Sequence, residues 1–156
     1  KKFFKKTILL SGCISSGRDI ASALQMGADL AYLGTRFINT TESKADEKYK
    51  EMIIESKAGD IVYTAAVSGV NANFLRPSLE AMGITEDMWG DSKKIDFGDE
   101  LDAAQAEAKA WKTIWSAGQG VTSIEDCPST KDLIDRLKKE FISSIKNQAE
   151  LLKKFE

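Results

Sequence analysis

Histidine is absent from this sequence, and cysteine and proline occur only twice each among its 156 residues. Without histidine the chain cannot supply a Ser-His-Asp triad, a Cys-His pair or a histidine-ligated metal, and any general base must be another residue type. The two cysteines, Cys13 and Cys127, lie far apart without CxxC spacing, which indicates neither a zinc site nor a disulfide framework. We therefore expect two reduced thiols and no metal site.

Long apolar runs and an excess of charge of one sign are also lacking. The longest apolar runs cover a few residues, as in Ile8-Leu9-Leu10, and are too short for a membrane span or a signal peptide. A formal net charge of −2, with 42% hydrophobic and 29% charged residues, offers no electrostatic basis for binding nucleic acid or an anionic membrane. The composition predicts a soluble, cytoplasmic globular protein without a polyanionic partner.

A strand, a glycine turn and a helix follow one another at the start of the chain. Residues 7–10 form a short β-rich run that Ser11-Gly12 closes. Ser16 and Asp19 have the spacing of a helix N-terminus, and Gly27 stands where that helix should end. This order predicts one βα unit.

A second apolar run over residues 28–33 is stopped by Gly34-Thr35. Its position one βα unit after the first run predicts two parallel strands. Because the carboxyl ends of parallel strands meet at the same edge of a sheet, we expect Gly12 and Gly34 to lie side by side.

The remainder of the chain predicts four helices and one more strand. The helices are expected over residues 44–56, from Pro77 to Gly83, over 99–116, and from a Ser129 cap onward with Leu133, Leu137, Phe141 and Ile145 recurring every four residues; the strand is expected over 61–67. No repeat, low-complexity tract or linker divides the sequence. Residues 1–156 are therefore expected to form a single unit.

The two neighbouring glycine turns predict a phosphate cradle. Backbone N–H groups bind a phosphate only where no Cβ blocks their approach, which is a reason for glycine at such a turn. One glycine alone is explained more simply as the end of a strand, but two in register favour a site. The candidate residues are Ser11, Gly12 and Cys13 on the first turn and Gly34 and Thr35 on the second.

The stretch SGCISSGRDIASALQMGADLAYLGTRFINTTES resembles the segment with which nitronate monooxygenases, formerly called 2-nitropropane dioxygenases, bind the phosphate of FMN. The later stretches YKEMIIES, DIVYTAAVSGVNANFLRPSL and KAWKTIWSAGQGVTSI also resemble that family, so the similarity runs from Ile8 to about Phe141. A complete (β/α)8 TIM barrel needs about 250 residues. The resemblance therefore implies an α/β fold, namely the C-terminal portion of an FMN-binding TIM barrel with additional C-terminal helices.

The resemblance also implies an activity, the FMN-dependent oxidation of alkyl nitronates by dioxygen. Cys13 stands where the family commonly has a second glycine. The family's catalytic histidine belongs to an upstream segment, so no catalytic residue is expected in this chain, which is interpreted as an incomplete enzyme that is inactive alone. Strand edges and helix faces left uncovered in such a piece predict self-association.

Two other functions stay open. The related flavin-dependent enoyl-thioester (enoyl-ACP) reductases have similar phosphate segments, and the long C-terminal helix would also suit a non-enzymatic helical interaction module. Arg18 and Arg36 are interpreted as structural or solvated cations rather than phosphate ligands. Gly118-Gln119-Gly120 is explained equally well as a segment near the flavin or as a helix stop. Three aromatic residues are expected to fill core or interface volume: Tyr63, Trp111 and Trp115.

Overall fold

Two short parallel strands, β1 (Leu9–Ser11) and β2 (Leu30–Tyr32), begin the fold in a computed structural model that describes residues 2–67, 69–89 and 112–155. They pair in register, with Ser11 opposite Tyr32. Gly12 directly follows β1 and Gly34 lies two residues beyond β2. The predicted parallel pair is confirmed, and both glycines lie at the carboxyl edge of this sheet.

Helix α1 (Gly17–Gln25) follows β1, and its two ends are formed by the predicted residues. The Ser16 hydroxyl accepts a hydrogen bond from the Asp19 N–H at 3.2 Å, and the Asp19 carboxylate accepts one from the Ser16 N–H at 2.9 Å. This reciprocal cap satisfies N–H groups that lack partners within the helix. Gly27 has a φ of +94°, a left-handed conformation that ends the helix and favours glycine.

After β2 the chain forms two helices, α2 (Thr35–Ile38) and α3 (Glu47–Glu55). The helix predicted over residues 44–56 begins later than expected. Its N-cap is Asp46, whose carboxylate accepts a hydrogen bond from the Lys48 N–H at 2.9 Å. The cap marks the start because a helix begins where its first free N–H groups find acceptors.

A second sheet pairs β3 (Ile61–Thr64) with β4 (Ala72–Leu75) in antiparallel register. The single strand predicted over residues 61–67 is wrong in its extent, and β4 was not predicted. The strand ends because the chain turns after Thr64, whose hydroxyl accepts a hydrogen bond from the Ala66 N–H at 3.1 Å. Gly69, with a φ of +76°, continues this turn.

Helices α4 (Arg76–Glu80) and α5 (Glu86–Trp89) come next. The predicted helix from Pro77 to Gly83 is confirmed in position, although it ends at Glu80. Most of the helix predicted over 99–116, including Trp111, lies outside the described residues. Residues 112 and 113 are helical, whereas 114–116 are not.

A 3-10 turn (Gln119–Ser123) leads to the long helix α6 (Thr130–Leu152). As predicted, Ser129 caps this helix, and its hydroxyl accepts a hydrogen bond from the Asp132 N–H at 3.1 Å. Helix α6 packs against α1. Leu133 and Leu137 are buried there, but Ile145 is 41% exposed. The predicted stripe is buried only at its start, because α1 has 9 residues and α6 has 23.

Two apolar clusters form the core of the described part of the chain, and residues between 114 and 124 contribute to both. One contains Val62, Val67, Phe74, Leu79, Ile84 and Ile114, and the other contains Ile53, Leu75, Ala117, Val121 and Ile124. The irregular segment after Ile114 is therefore a packed part of the fold.

Within the described ranges, no helix is long and apolar enough to cross a membrane.

Candidate functional site

A pocket of about 140 Å³ lies where β1 and β2 end. The loops that follow parallel strands lie at the same sheet edge, which is where ligands bind in open α/β folds. The pocket is lined by all five predicted cradle residues and five more: Ser11, Gly12, Cys13, Ile14, Ser15, Tyr32, Gly34, Thr35, Gly118 and Gly120. The structure thus brings the predicted residues together.

The first wall of the pocket is the turn after β1. Gly12 has a φ of +99° and Cys13 has a φ of +55°, so two consecutive residues are left-handed. Glycine adopts this conformation without strain, whereas Cys13 is held in it at a cost of order 1–3 kcal/mol. Successive N–H groups in such turns form concave anion-binding sites. Within the described chain, the Cys13 N–H has no hydrogen-bond acceptor.

The second wall is the turn after β2, where the glycine has no structural cause in the described residues. Gly34 has a φ of −109°, which any residue can adopt. A Cβ added there would meet no atom of the described chain within 4 Å. The N–H of the next residue, Thr35, has no acceptor among the described residues. Neither a left-handed φ nor packing among the described residues requires Gly34, and the space that its missing side chain leaves adjoins the pocket that Gly34 lines.

The third wall is Gly118–Gly120, for which the sequence left two interpretations. The Gly118 N–H donates to Thr35 Oγ1 at 2.9 Å, and the Ser15 hydroxyl donates to the Gly120 carbonyl at 3.1 Å. A Cβ on Gly120 would lie 2.9 Å from the Cα of Cys13. The repeated glycines around Gln119 were the available signal, but only the fold places them against the two turns.

The start of α1 does not donate to the pocket. The N–H groups of Ser15 and Ser16 donate to the Asp19 carboxylate at 3.0 and 2.9 Å, and the Gly17 N–H donates to Glu140 Oε2 at 2.7 Å. These carboxylates satisfy the helix N-terminus and place negative charge there. Free donors for an anion therefore come from the two turns.

Arg36 is a structural ion-pair residue, in agreement with its interpretation from the sequence as a structural or solvated cation. Its side chain is 3% exposed and binds Asp126 at 2.7 Å, and Asp126 also binds Arg136 at 2.6 Å. Burial lowers the pKa of Arg36. The Arg136 hydrogen bond is the largest cause that lowers the pKa of Asp126. Arg18 is exposed and lines a separate polar groove between α1 and α6.

Among the described aromatic residues, only Tyr32 lines the pocket. Trp115 stacks on Tyr49 with ring centroids 5.1 Å apart, and both pack against the core, as expected for Trp115. The Tyr49 hydroxyl donates to the Ser116 carbonyl, and burial raises the pKa of Tyr49. Tyr63 is 68% exposed, so it does not fill core volume in the described chain, and the interface alternative for Tyr63 stays a prediction.

Both cysteines are free thiols, with Cys13 exposed and Cys127 partly buried. In ranges 2–67, 69–89 and 112–155, no group of three or more histidine, cysteine, aspartate or glutamate side chains could hold a metal ion. The chemistry that the described site offers is hydrogen bonding from the backbone N–H groups of Cys13 and Thr35 and from the Thr35 hydroxyl, which suits an anion such as a phosphate.

The chain is similar in sequence to nitronate monooxygenases. The family model described as nitronate monooxygenase matches residues 7–140. A nitronate monooxygenase of Paraburkholderia phytofirmans is 33% identical over 144 residues, which cover 88% of this chain and 38% of the relative. A probable nitronate monooxygenase of Staphylococcus aureus is 36% identical over 62 residues, covering 40% of this chain and 18% of the relative. The chain thus spans well under half the length of these relatives.

Solved structures of similar fold include FabK from Thermotoga maritima, with a TM-score of 0.72 and 25% identity over 95% of this chain and 48% of that chain. A nitroalkane oxidase from Streptomyces ansochromogenes has a TM-score of 0.70 and 25% identity, covering 93% and 42%. These likenesses confirm the predicted fold class, a portion of a (β/α)8 barrel. Because the family model covers most of the sequence, the chain belongs to the nitronate monooxygenase family.

Proposed function

We propose that this chain forms the phosphate-binding part of an FMN-dependent enzyme that oxidises alkyl nitronates with dioxygen. The observation that carries the proposal is the pair of strand-end turns around one small pocket, with open space at Gly34 that neither a left-handed φ nor packing among the described residues explains. A phosphate that approaches the backbone closely accounts for that space. The names of the similar proteins, nitronate monooxygenase and nitroalkane oxidase, support the reaction class.

The residues present fit the phosphate end of FMN. The pocket of about 140 Å³ suits a compact anionic group, and the N–H groups of Cys13 and Thr35 are donors without a partner in the described chain. Ser11 and Gly12 complete the first turn, and Gly34 leaves room at the second. No cationic side chain lines this pocket in the described residues, so recognition would rest on backbone dipoles.

The chain's own contribution is to bind and orient the cofactor. FMN, when bound, supplies the electron transfer between an alkyl nitronate and dioxygen. Because the sequence contains no histidine, a histidine base would have to come from outside it. We therefore expect no turnover by this chain alone, and we expect it to bind FMN weakly. The proposed partners are FMN, an alkyl nitronate and dioxygen.

The test is a titration of FMN, followed by flavin fluorescence, on the unmodified chain and on Gly34→Asp. The new carboxylate would occupy the open space and repel a phosphate, so FMN binding should be lost. Gly59→Asp is the matched control, because a Cβ on Gly59 also meets nothing within 4 Å and Gly59 does not line the pocket. Binding of FMN that is equally strong in Gly34→Asp would refute the phosphate assignment.

Oxygen uptake with a simple alkyl nitronate is the second measurement. Rapid turnover by the unmodified chain would show that its own residues supply the base and that the catalytic centre has been misplaced. For the enoyl-thioester reductase alternative, the enoyl reductase domain of MlnA is 14% identical at a TM-score of 0.61, a likeness that supports the fold alone. The family match over residues 7–140 favours the nitronate reaction.

A further inference from the structure

Two side-chain hydroxyls join the strand-end turns to the irregular segment that closes the pocket. We infer that Ser15 and Thr35 are positioning residues, whose hydroxyls hold Gly118–Gly120 as the third wall of the pocket and so set its affinity for a phosphate. This inference rests on the proposed function. It assigns to both hydroxyls the task of holding this wall, and for Thr35 this task comes in addition to its place among the pocket donors.

The geometry places one hydroxyl at each end of the tripeptide. Thr35 Oγ1 accepts from the Gly118 N–H at 2.9 Å, although the residues are 83 positions apart in sequence. The Ser15 hydroxyl donates to the Gly120 carbonyl at 3.1 Å, across 105 positions. Ser15 is buried and Thr35 is partly buried. The wall is therefore tied to both turns by contacts that exist only in the folded chain.

The bonding of Thr35 also leaves a donor available. A threonine hydroxyl has one hydrogen to donate and two lone pairs to accept. Since Oγ1 accepts from Gly118, its hydrogen is free to donate, and no acceptor for it lies in the described part of the chain. Thr35 lines the pocket and therefore offers an O–H beside its own N–H, and the Gly118 contact holds that oxygen in place.

The residues before and after Gly118–Gly120 have hydrogen bonds of their own to other parts of the fold. A substitution can therefore remove a contact of the tripeptide without removing theirs. Before it, the Leu75 N–H donates to the Trp115 carbonyl at 2.8 Å and the Tyr49 hydroxyl donates to the Ser116 carbonyl. After it, the Ala58 N–H donates to Thr122 Oγ1 at 2.7 Å. Loss of one hydroxyl should loosen the wall and leave the neighbouring segment in place.

The experiment compares Thr35→Val with Thr35→Ser and Thr40→Val. Valine keeps the size of threonine but cannot accept from Gly118, whereas serine keeps the hydroxyl. Thr40 is the matched control, because it is buried and its hydroxyl donates to the Phe37 carbonyl at 3.0 Å, outside the pocket lining. The readouts are hydrogen exchange of the Gly118 amide in the free chain, and affinity for FMN and for riboflavin, which lacks the phosphate.

In Thr35→Val we expect faster exchange at Gly118 and about fivefold to tenfold weaker FMN binding, which corresponds to about 1–1.4 kcal/mol and to one lost hydrogen bond. Riboflavin affinity should be unchanged, Thr35→Ser should restore both properties, and Thr40→Val should behave like the unmodified chain. Ser15→Ala should lower FMN affinity in the same way, because it frees the Gly120 carbonyl.

Unchanged exchange at Gly118 in Thr35→Val, or faster exchange with unchanged FMN affinity, would overturn the positioning role and leave the proposed function intact. An equal loss of FMN and riboflavin affinity would overturn it too, because the wall would then act on the ring rather than on the phosphate. If FMN leaves the amide signals of Cys13 and Thr35 unshifted in the unmodified chain, the proposed function fails, and the positioning role fails with it.

Discussion

Gly17→Ala should strongly destabilise the chain, because α6 crosses α1 at this glycine without room for a side chain. A Cβ on Gly17 would lie 2.1 Å from the Leu137 carbonyl oxygen and 2.4 Å from the Phe141 nitrogen. Both are backbone atoms of a regular helix, so no rotamer change can move them aside. The nearest side-chain atom, Cβ of Glu140, would lie 2.7 Å away. Helix α6 itself must therefore move away from α1.

The size of the effect follows from three contributions. Non-bonded carbon contacts need about 3.5 Å, so α6 must move by about 1 Å or more. Such overpacking costs about 1–3 kcal/mol. The retreat also breaks the 2.7 Å bond from the Gly17 N–H to the Glu140 carboxylate, a charge-assisted bond worth about 1.5–3 kcal/mol. Replacing glycine by alanine in a helix returns at most about 1 kcal/mol. We expect a net loss of about 2–4 kcal/mol.

Urea denaturation followed by circular dichroism measures this loss. Gly34→Ala is the matched control, because the added Cβ meets nothing within 4 Å and the φ of −109° suits alanine. That variant should be as stable as the unmodified chain. If Gly17→Ala unfolds at the same urea concentration as Gly34→Ala, the contact between α1 and α6 is not the rigid close approach described here.

Two further predictions concern acid stability and association. The folded-state pKa of Asp126 is lowered, first by the Arg136 hydrogen bond, so the unfolded chain binds more protons as the pH falls. The stability due to Asp126 is then present above about pH 4 and lost below it, and Asp126→Asn should flatten this dependence in urea denaturation at several pH values. Leu30 and Tyr32 are exposed on β2, so sedimentation should detect a dimer or larger species that Leu30→Ser with Tyr32→Ser converts to monomer.

Local sequence was sufficient to predict the first βα unit and the N-caps of α1 and α6. The Ser16–Asp19 and Ser129–Asp132 spacings, and Gly27, act within one turn of helix, so their roles can be read without knowledge of the rest of the fold. The parallel pairing of β1 and β2 followed from the order strand, helix, strand. These features depend on neighbours in the sequence.

The second sheet shows where local reasoning was insufficient. Residues 61–67, IVYTAAV, contain no charged residue and no glycine or proline, yet the strand ends at Thr64, whose hydroxyl accepts a hydrogen bond from the Ala66 N–H. β4 (Ala72–Leu75) is stabilised by pairing with β3 and by burial of Phe74 and Leu75. Both depend on what packs nearby, because strand formation is decided by cross-strand and core contacts.

The sequence by itself determined that Gly12, Cys13, Gly34 and Thr35 would meet at one sheet edge, because parallel strands align their carboxyl ends. Only the tertiary structure decided what each glycine does. Gly17 allows α6 to pack closely against α1, and Gly120 allows the turn at Cys13 to approach the third wall. Gly34 faces open space. The physical reason is that the role of a glycine depends on which atoms occupy the space beside its Cα. Those atoms belong to residues distant in the sequence or to a ligand.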